Sequence, residues 1–284
     1  MRIHPMAPVL GALITLLACR GEVVQQQSAE RGKANMASAA PATGSRASGA
    51  EAWSRVASRT VFFGHQSVGG NLIDGMRDLM RENPSLKLNI VRGASPRAVE
   101  GPAFIETPIG DNGDPARKVA DFERALAGTA PLDSGIALMK FCYLDVTPST
   151  DVDSLFATYR AGIGRVRQAQ PSLRLVHVTP PLTVSDPWAK DVVKRVLGRP
   201  TAHDLNAKRN RLGELMRREF GSRDAIFDLA RIESTRADGS RSFVTRGGDT
   251  TYTLAPEYTD DGGHLNPAGR RIAAAALLDV LAGL

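Results

Sequence analysis

From residue 53 onward, apolar positions follow two alternating periods, and that alternation predicts a chain of strands and helices. Residues 60–64 (TVFFG) form a short apolar run rich in β-formers. Residues 68–81 then carry Leu72, Ile73, Met76, Leu79 and Met80 at helical spacing. Residues 86–91 (LKLNIV) alternate as a strand does, and residues 116–126 place Val119, Phe122 and Leu126 on one helical face. Residues 135–141 (GIALMKF) read as a buried strand, 152–170 as an amphipathic helix and 173–178 (LRLVHV) as a strand. A charged amphipathic helix follows at 203–220, a strand at 225–229 (AIFDL) and an Ala/Leu-rich closing helix at 267–281. Five short strands, each followed by a helix, predict an α/β fold of three α/β/α layers around a five-stranded parallel sheet. Crossovers in such sheets are right-handed, and ligands bind at the carboxyl ends of the strands. Two insertions, 183–201 and 234–257, leave the sheet at that edge and are expected to wall a site there.

The first residues carry a different pattern. Arg2 begins a short positive region, and residues 9–18 (VLGALITLLA) are apolar. Ten residues are too few to span a bilayer as a helix and suit the core of a signal sequence. The stretch ends Leu16-Leu17-Ala18-Cys19, which resembles a bacterial lipobox. That resemblance implies cleavage before Cys19, lipidation of Cys19 and a place in the bacterial cell envelope. Residues 20–52 are rich in Ala, Ser, Gly and Gln and short of large apolar side chains, so they read as a disordered tether. The expected organisation is a signal peptide at 1–19, a tether at 20–52 and a catalytic domain at 53–284.

Composition adds little to this picture. Of the 284 residues, 42% are hydrophobic and 23% charged, which suits a globular domain with a core. The formal net charge of +6 favours acidic partners in general. The basic residues are scattered, however, and no nucleic-acid motif accompanies them. The two cysteines, Cys19 and Cys142, fall on opposite sides of the cleavage point, so the mature domain is expected to hold one buried free thiol.

Chemistry gathers at the two ends of the domain. The first strand runs into Gly64-His65-Gln66-Ser67-Val68-Gly69-Gly70-Asn71. A Ser on a tight strand-to-helix turn exposes its hydroxyl above the sheet, at the positive end of a helix. The plainer reading makes Ser67 a helix cap. The closing helix is preceded by Asp260-Asp261-Gly262-Gly263-His264-Leu265-Asn266-Pro267. Asn266 suits a cap and Pro267 the first helical position. Asp261, three residues before His264, is spaced to hold one imidazole nitrogen and leave the other free to take a proton. The plainer reading is a surface histidine beside two solvated acids.

Asp261-Gly262-Gly263-His264, continuing into Leu-Asn-Pro-Ala-Gly, resembles the Asp-x-x-His motif of SGNH/GDSL hydrolases. Gly64-His65-Gln66-Ser67 resembles that family's Gly-Asp-Ser more loosely, with one residue more and no Asp. The resemblance covers residues 61–284. It implies a flavodoxin-like SGNH fold with Ser67 as nucleophile, His264 as base and Asp261 as the residue that orients it. It also implies an oxyanion hole built from the Ser67 N–H, a Gly N–H after strand two, matched by Gly93, and an Asn side chain after strand three. The third strand departs from the family, ending Lys140-Phe141-Cys142-Tyr143-Leu144-Asp145 without Gly-x-Asn-Asp. Asn71 and Asn112 are the substitute donors. His65, Asp145 and Tyr258 are candidates for substrate contact, with Asp145 equally suited to cap a turn.

The implied function is a serine esterase acting on ester groups, O-acetyl foremost, through an acyl-enzyme and with no metal or organic cofactor. Its partners would be an ester-bearing small molecule, a lipid or an acetylated glycan. O-acyl transfer to an envelope glycan would use the same residues. Two other classes stay open. One is a metal-dependent hydrolase built on His65, Asp260, Asp261 and His264; the other is a non-catalytic lipoprotein that binds a glycan or partner. Loop aromatics such as Trp188, Tyr252 and Tyr258 would stack on sugars in the glycan readings and simply pack in the plainer one.

Overall fold

A computed structural model describes residues 46–93, 99–127 and 135–284. The signal segment, Cys19 and most of the expected tether lie outside the described residues. Helix α1 (Arg46–Ala57) begins within the stretch expected to be tether. The last turns of that helix have apolar side chains to bury. Val56 is buried, and the Trp53 indole N–H donates to Asp279 at 2.7 Å.

The sheet has six parallel strands rather than five, in the order β2-β3-β1-β4-β5-β6. They are β1 (Val61–His65), β2 (Ile90–Arg92), β3 (Phe104–Pro108), β4 (Ile136–Met139), β5 (Arg174–Val178) and β6 (Ala225–Phe227). The added strand is β3, which pairs with β1 from Val61↔Phe104 to His65↔Pro108. Its sequence, FIETP, puts a Glu and a Pro where a buried strand usually has β-branched residues. Pro108 stands at the strand's end, where a missing N–H is tolerated. β3 displaces the segment read as strand two to the sheet edge, where only Ile90–Arg92 pairs.

Alternate side chains feed two cores. Val61, Phe63, Ile136, Leu138, Val176 and Val178 meet α1, α2 (Val68–Glu82) and α8 (Pro267–Ala282) on one face. Phe62, Ala137, Met139 and Leu175 meet α3 (Pro115–Ala127), α4 (Val152–Ala169) and α6 (Ala202–Phe220) on the other. The first insertion forms α5 (Trp188–Val196). The short α7 (Leu229–Ser234) follows β6, and the second insertion forms an antiparallel hairpin of β7 (Phe243–Arg246) and β8 (Asp249–Tyr252).

One packing contact positions the site. A Cβ on Gly75 of α2 would lie 2.2 Å from the Arg270 carbonyl oxygen of α8, so only glycine allows these helices to come so close. Arg270 Nε donates to the buried Asp78 carboxylate at 2.6 Å across the same contact. Ser67 immediately precedes α2 and His264 lies just before α8, so this contact carries the two distant motifs to one edge of the sheet.

Candidate active site

Ser67 Oγ and His264 Nε2 are 2.7 Å apart, and His264 Nδ1 and Asp261 Oδ2 are 2.6 Å apart. The backbone N–H groups of Gly263 and His264 donate to the other oxygen, Asp261 Oδ1, at 2.9 and 2.8 Å. The His264 N–H, the His264 ring and the Gly263 N–H together hold the Asp261 carboxyl well below the usual carboxylate range. That carboxylate thus stays ionised and fixes the imidazole tautomer, with Nδ1–H donating and Nε2 free to accept. Hydroxyl, imidazole and carboxylate form the hydrogen-bonded series that proton transfer from a serine requires.

Local backbone explains how Ser67 reaches that position. Among the described residues it is the one non-glycine with positive φ, at φ 52°, ψ −114°. Such strain costs ~1–3 kcal/mol and concentrates at functional turns. Its hydroxyl makes no capping hydrogen bond to α2, which sets aside the plain helix-cap reading. Asn71, one turn into α2, accepts from the Leu265 N–H at 3.1 Å and ties the helix to the loop that carries His264.

Several expected site residues serve other ends. The Gly93 N–H donates to the Glu106 carbonyl at 2.8 Å, and Gly93 follows the edge strand β2, one strand removed from β1. It is no oxyanion donor here, because β3 occupies the place beside β1. Asn112 Oδ1 accepts from Lys118 at 2.9 Å. Asp145 is no substrate contact: it is buried, pairs with Lys118 at 2.7 Å and accepts from the Gly113 and Cys142 N–H groups at 2.8 and 2.6 Å. Those bonds close the 3₁₀ turn after β4, which is the capping alternative. Tyr258 is buried against α8 and donates to the Thr235 carbonyl at 3.0 Å. Lys140 is also buried, donates to the Phe141 carbonyl, and is pulled down to about 8 chiefly by burial. Cys142 is a buried free thiol, as expected.

His65 is held by its neighbours on β1 and β3. Its ring stacks on Phe63 and its Nε2 lies 3.0 Å from the Glu106 carboxylate. Burial foremost, aided by Lys140 and Arg92, lowers its pKa to about 3. Among the described residues no three metal-ligating side chains converge, and His65 does not join Asp260, Asp261 and His264. A cleft of about 220 Å³ beside Ser67 is lined by His65, Arg77, Arg92, Glu106 and Pro108.

Tyr143 is the residue that sequence reading missed. It follows β4, where the family pattern has its Asn. Burial foremost pushes the phenol's pKa up, and the nearby Ser67 side chain opposes that rise. Its ring meets the His264 ring edge-on at 5.6 Å. A Cβ on Gly263 would lie 2.9 Å from that ring, so the second glycine of the Asp-Gly-Gly-His turn makes room for the tyrosine. The buried Arg209 of α6 fixes the backbone here, donating to the Tyr143 carbonyl at 2.8 and 3.3 Å and to Asn206 Oδ1 at 2.7 Å. A phenol is not the amide donor that the resemblance implies at this place, and the charged pattern of α6 gives no sign that Asn206 and Arg209 are buried.

No family model matches the chain, and no curated protein does. Among solved structures, similar chains include a GDSL-like lipase from Bacteroides thetaiotaomicron, at 12% identity over 80% of this chain and 89% of that one, TM-score 0.47. A lipolytic protein of the G-D-S-L family from Veillonella parvula is 11% identical over 78% and 96%, TM-score 0.46. The OSK domain of Drosophila Oskar is 12% identical over 76% and 85%, TM-score 0.38. At these values the likeness assigns no role to any residue here.

Proposed function

We propose that this protein is a serine ester hydrolase of the SGNH/GDSL type, working through an acyl-enzyme. The observation that carries the reading is the unbroken series Ser67–His264–Asp261, assembled from opposite ends of the domain. His264 Nε2 takes the Ser67 proton as Oγ attacks the ester carbonyl carbon, and the ionised Asp261 stabilises the imidazolium. The imidazolium then protonates the departing alcohol. Water, deprotonated by His264, releases the acyl group and restores Ser67. The Ser67 N–H at the start of α2 and the Tyr143 hydroxyl are the donors to the developing oxyanion. Tyr143 thus replaces the family's Asn, and neither Gly93 nor Asn112 is needed.

O-acetyl esters are the substrate class this reading puts first, because the cleft beside Ser67 holds only about 220 Å³. Turnover of p-nitrophenyl acetate, abolished in Ser67→Ala and insensitive to EDTA, is the expected result. EDTA-sensitive turnover that survives Ser67→Ala would overturn it. In its cellular setting the protein is a lipid-anchored envelope protein held through Cys19. Incorporation of labelled palmitate, lost in Cys19→Ala, tests that part.

A further inference from the structure

Helix α5 is amphipathic the wrong way round for a soluble protein. On a helical projection Trp188, Val192, Val193, Val196 and Leu197 share one half of its circumference, and Lys190, Asp191, Lys194 and Arg195 share the other. A surface helix ordinarily buries its apolar half. Here the polar half is fastened to the protein. Lys194 pairs with the nearly buried Asp186 at 2.7 Å, and Arg246 of β7 pairs with Asp191 at 2.8 Å. No residue of α5 is buried. Trp188 is 74% exposed, Val193 56%, Val196 80% and Leu197 59%. We propose that this face of α5 docks on an anionic lipid surface and sets the mouth of the active site against it.

Charge and size select that occupant. Lys190 and Arg195 are exposed along the polar border, paired with Asp186 at 3.2 Å and Asp191 at 3.3 Å, and Arg199, just past the helix, is exposed and makes no ion pair among the described residues, so cations outnumber acids along this edge. An apolar arc opened by a tryptophan and bordered by cations is the pattern of helices that lie in the headgroup plane. From the exposed fractions of Trp188, Val193, Val196 and Leu197 the arc offers on the order of 500 Å² of surface, the size of a functional patch. It falls short of the ~800 Å² per partner of a stable protein interface. Position completes the argument. Val184, in the segment leading to α5, donates its N–H to the Gly262 carbonyl at 3.0 Å, within the Asp261–His264 turn. The segment that leads into α5 is thus tied to the loop that carries His264. That an ester is drawn from this surface rests on the hydrolase reading; the docking itself does not.

The full chain carrying Trp53→Phe leaves Trp188 as its one tryptophan. It is mixed with vesicles of equal parts phosphatidylglycerol and mid-chain-brominated phosphatidylcholine. Trp188 emission is expected to fall to roughly half or less, as for a ring in the headgroup–acyl boundary. Val196→Asp with Leu197→Asp in the same chain is expected to abolish the quenching and to leave turnover of soluble p-nitrophenyl acetate unchanged. Both proteins share every N-terminal residue, so any contact made there cancels. Quenching that survives the double substitution, or none at all, overturns the proposal. So does Trp188 already shielded from acrylamide without vesicles, which would mean that another part of the chain or a second copy covers α5. Equal quenching in purely zwitterionic vesicles overturns the part given to the cations. Failure of Ser67 chemistry, by contrast, would sink the hydrolase reading and leave this result standing.

Discussion

Replacing Tyr143 with Phe removes one hydroxyl and keeps what holds the ring. The edge contact with His264 at 5.6 Å and the Arg209 bond to the backbone carbonyl at 2.8 Å involve no phenol oxygen, and the close fit under Gly263 is made first by ring carbons. The fold and the Ser67–His264 contact should therefore persist. What goes is the hydroxyl that the proposed mechanism uses as an oxyanion donor. Loss of one preorganised oxyanion donor costs ~10²–10³ in kcat, or about 2.7–4 kcal/mol of transition-state stabilisation. The phenol is half-buried rather than sealed from water, so the lower end, ~10²-fold, is the expected loss. KM should change little, because a ground-state ester carbonyl draws far less on the donor than an oxyanion does. Initial rates on p-nitrophenyl acetate across substrate concentration separate kcat from KM, with thermal melting as a check on folding. A well-folded Tyr143→Phe protein with kcat within about threefold of wild type would refute the role given to the hydroxyl.

Other substitutions probe the remaining parts. Asp261→Asn should leave the loop in place but favour the wrong imidazole tautomer, lowering kcat by ~10⁴ in the same assay. Asp145→Ala strands the buried Lys118 ammonium and should destabilise the domain by ~3–5 kcal/mol in urea unfolding. The buried His177, stacked on Phe220 and bonded to Tyr159 and Asp224, is pulled down to about 4, chiefly by burial. Between its ordinary value of 6.5 and about 4 the unfolded chain binds the extra proton. Stability from this group is present above pH 6.5 and is lost as pH falls through that window. A Tm series in acid should lose about one proton's worth of slope in His177→Gln; an unchanged slope contradicts the assignment.

The Ser67–His264–Asp261 series was legible because each member sits in a local signal: a glycine-flanked turn for Ser67, an acid three residues before a histidine for Asp261 and His264. The long helices were legible from their period alone. β3 was not, because Glu106 and Pro108 break its pattern while tertiary pairing with β1 still makes it a strand. Missing β3 sent the oxyanion assignment to Gly93, one strand too far out. Asp145 and Tyr258 looked like site residues because polar groups near a strand end or a motif do, yet their partners, Lys118 and the Thr235 carbonyl, are distant in sequence. Tyr143 fell between these cases: its position was read, but its donor was not. The outward turn of α5 depends on where Asp186 and Arg246 hold it, which no local period encodes.

The central claim is that the Ser67 hydroxyl is a nucleophile activated by His264. The most direct test is reaction of the full chain with a fluorophosphonate, followed by intact-mass measurement and peptide mapping. A single covalent adduct on Ser67 is expected, absent from Ser67→Ala and formed far more slowly by His264→Ala. A folded protein that stays unmodified, or an adduct mapped to another residue, would contradict it.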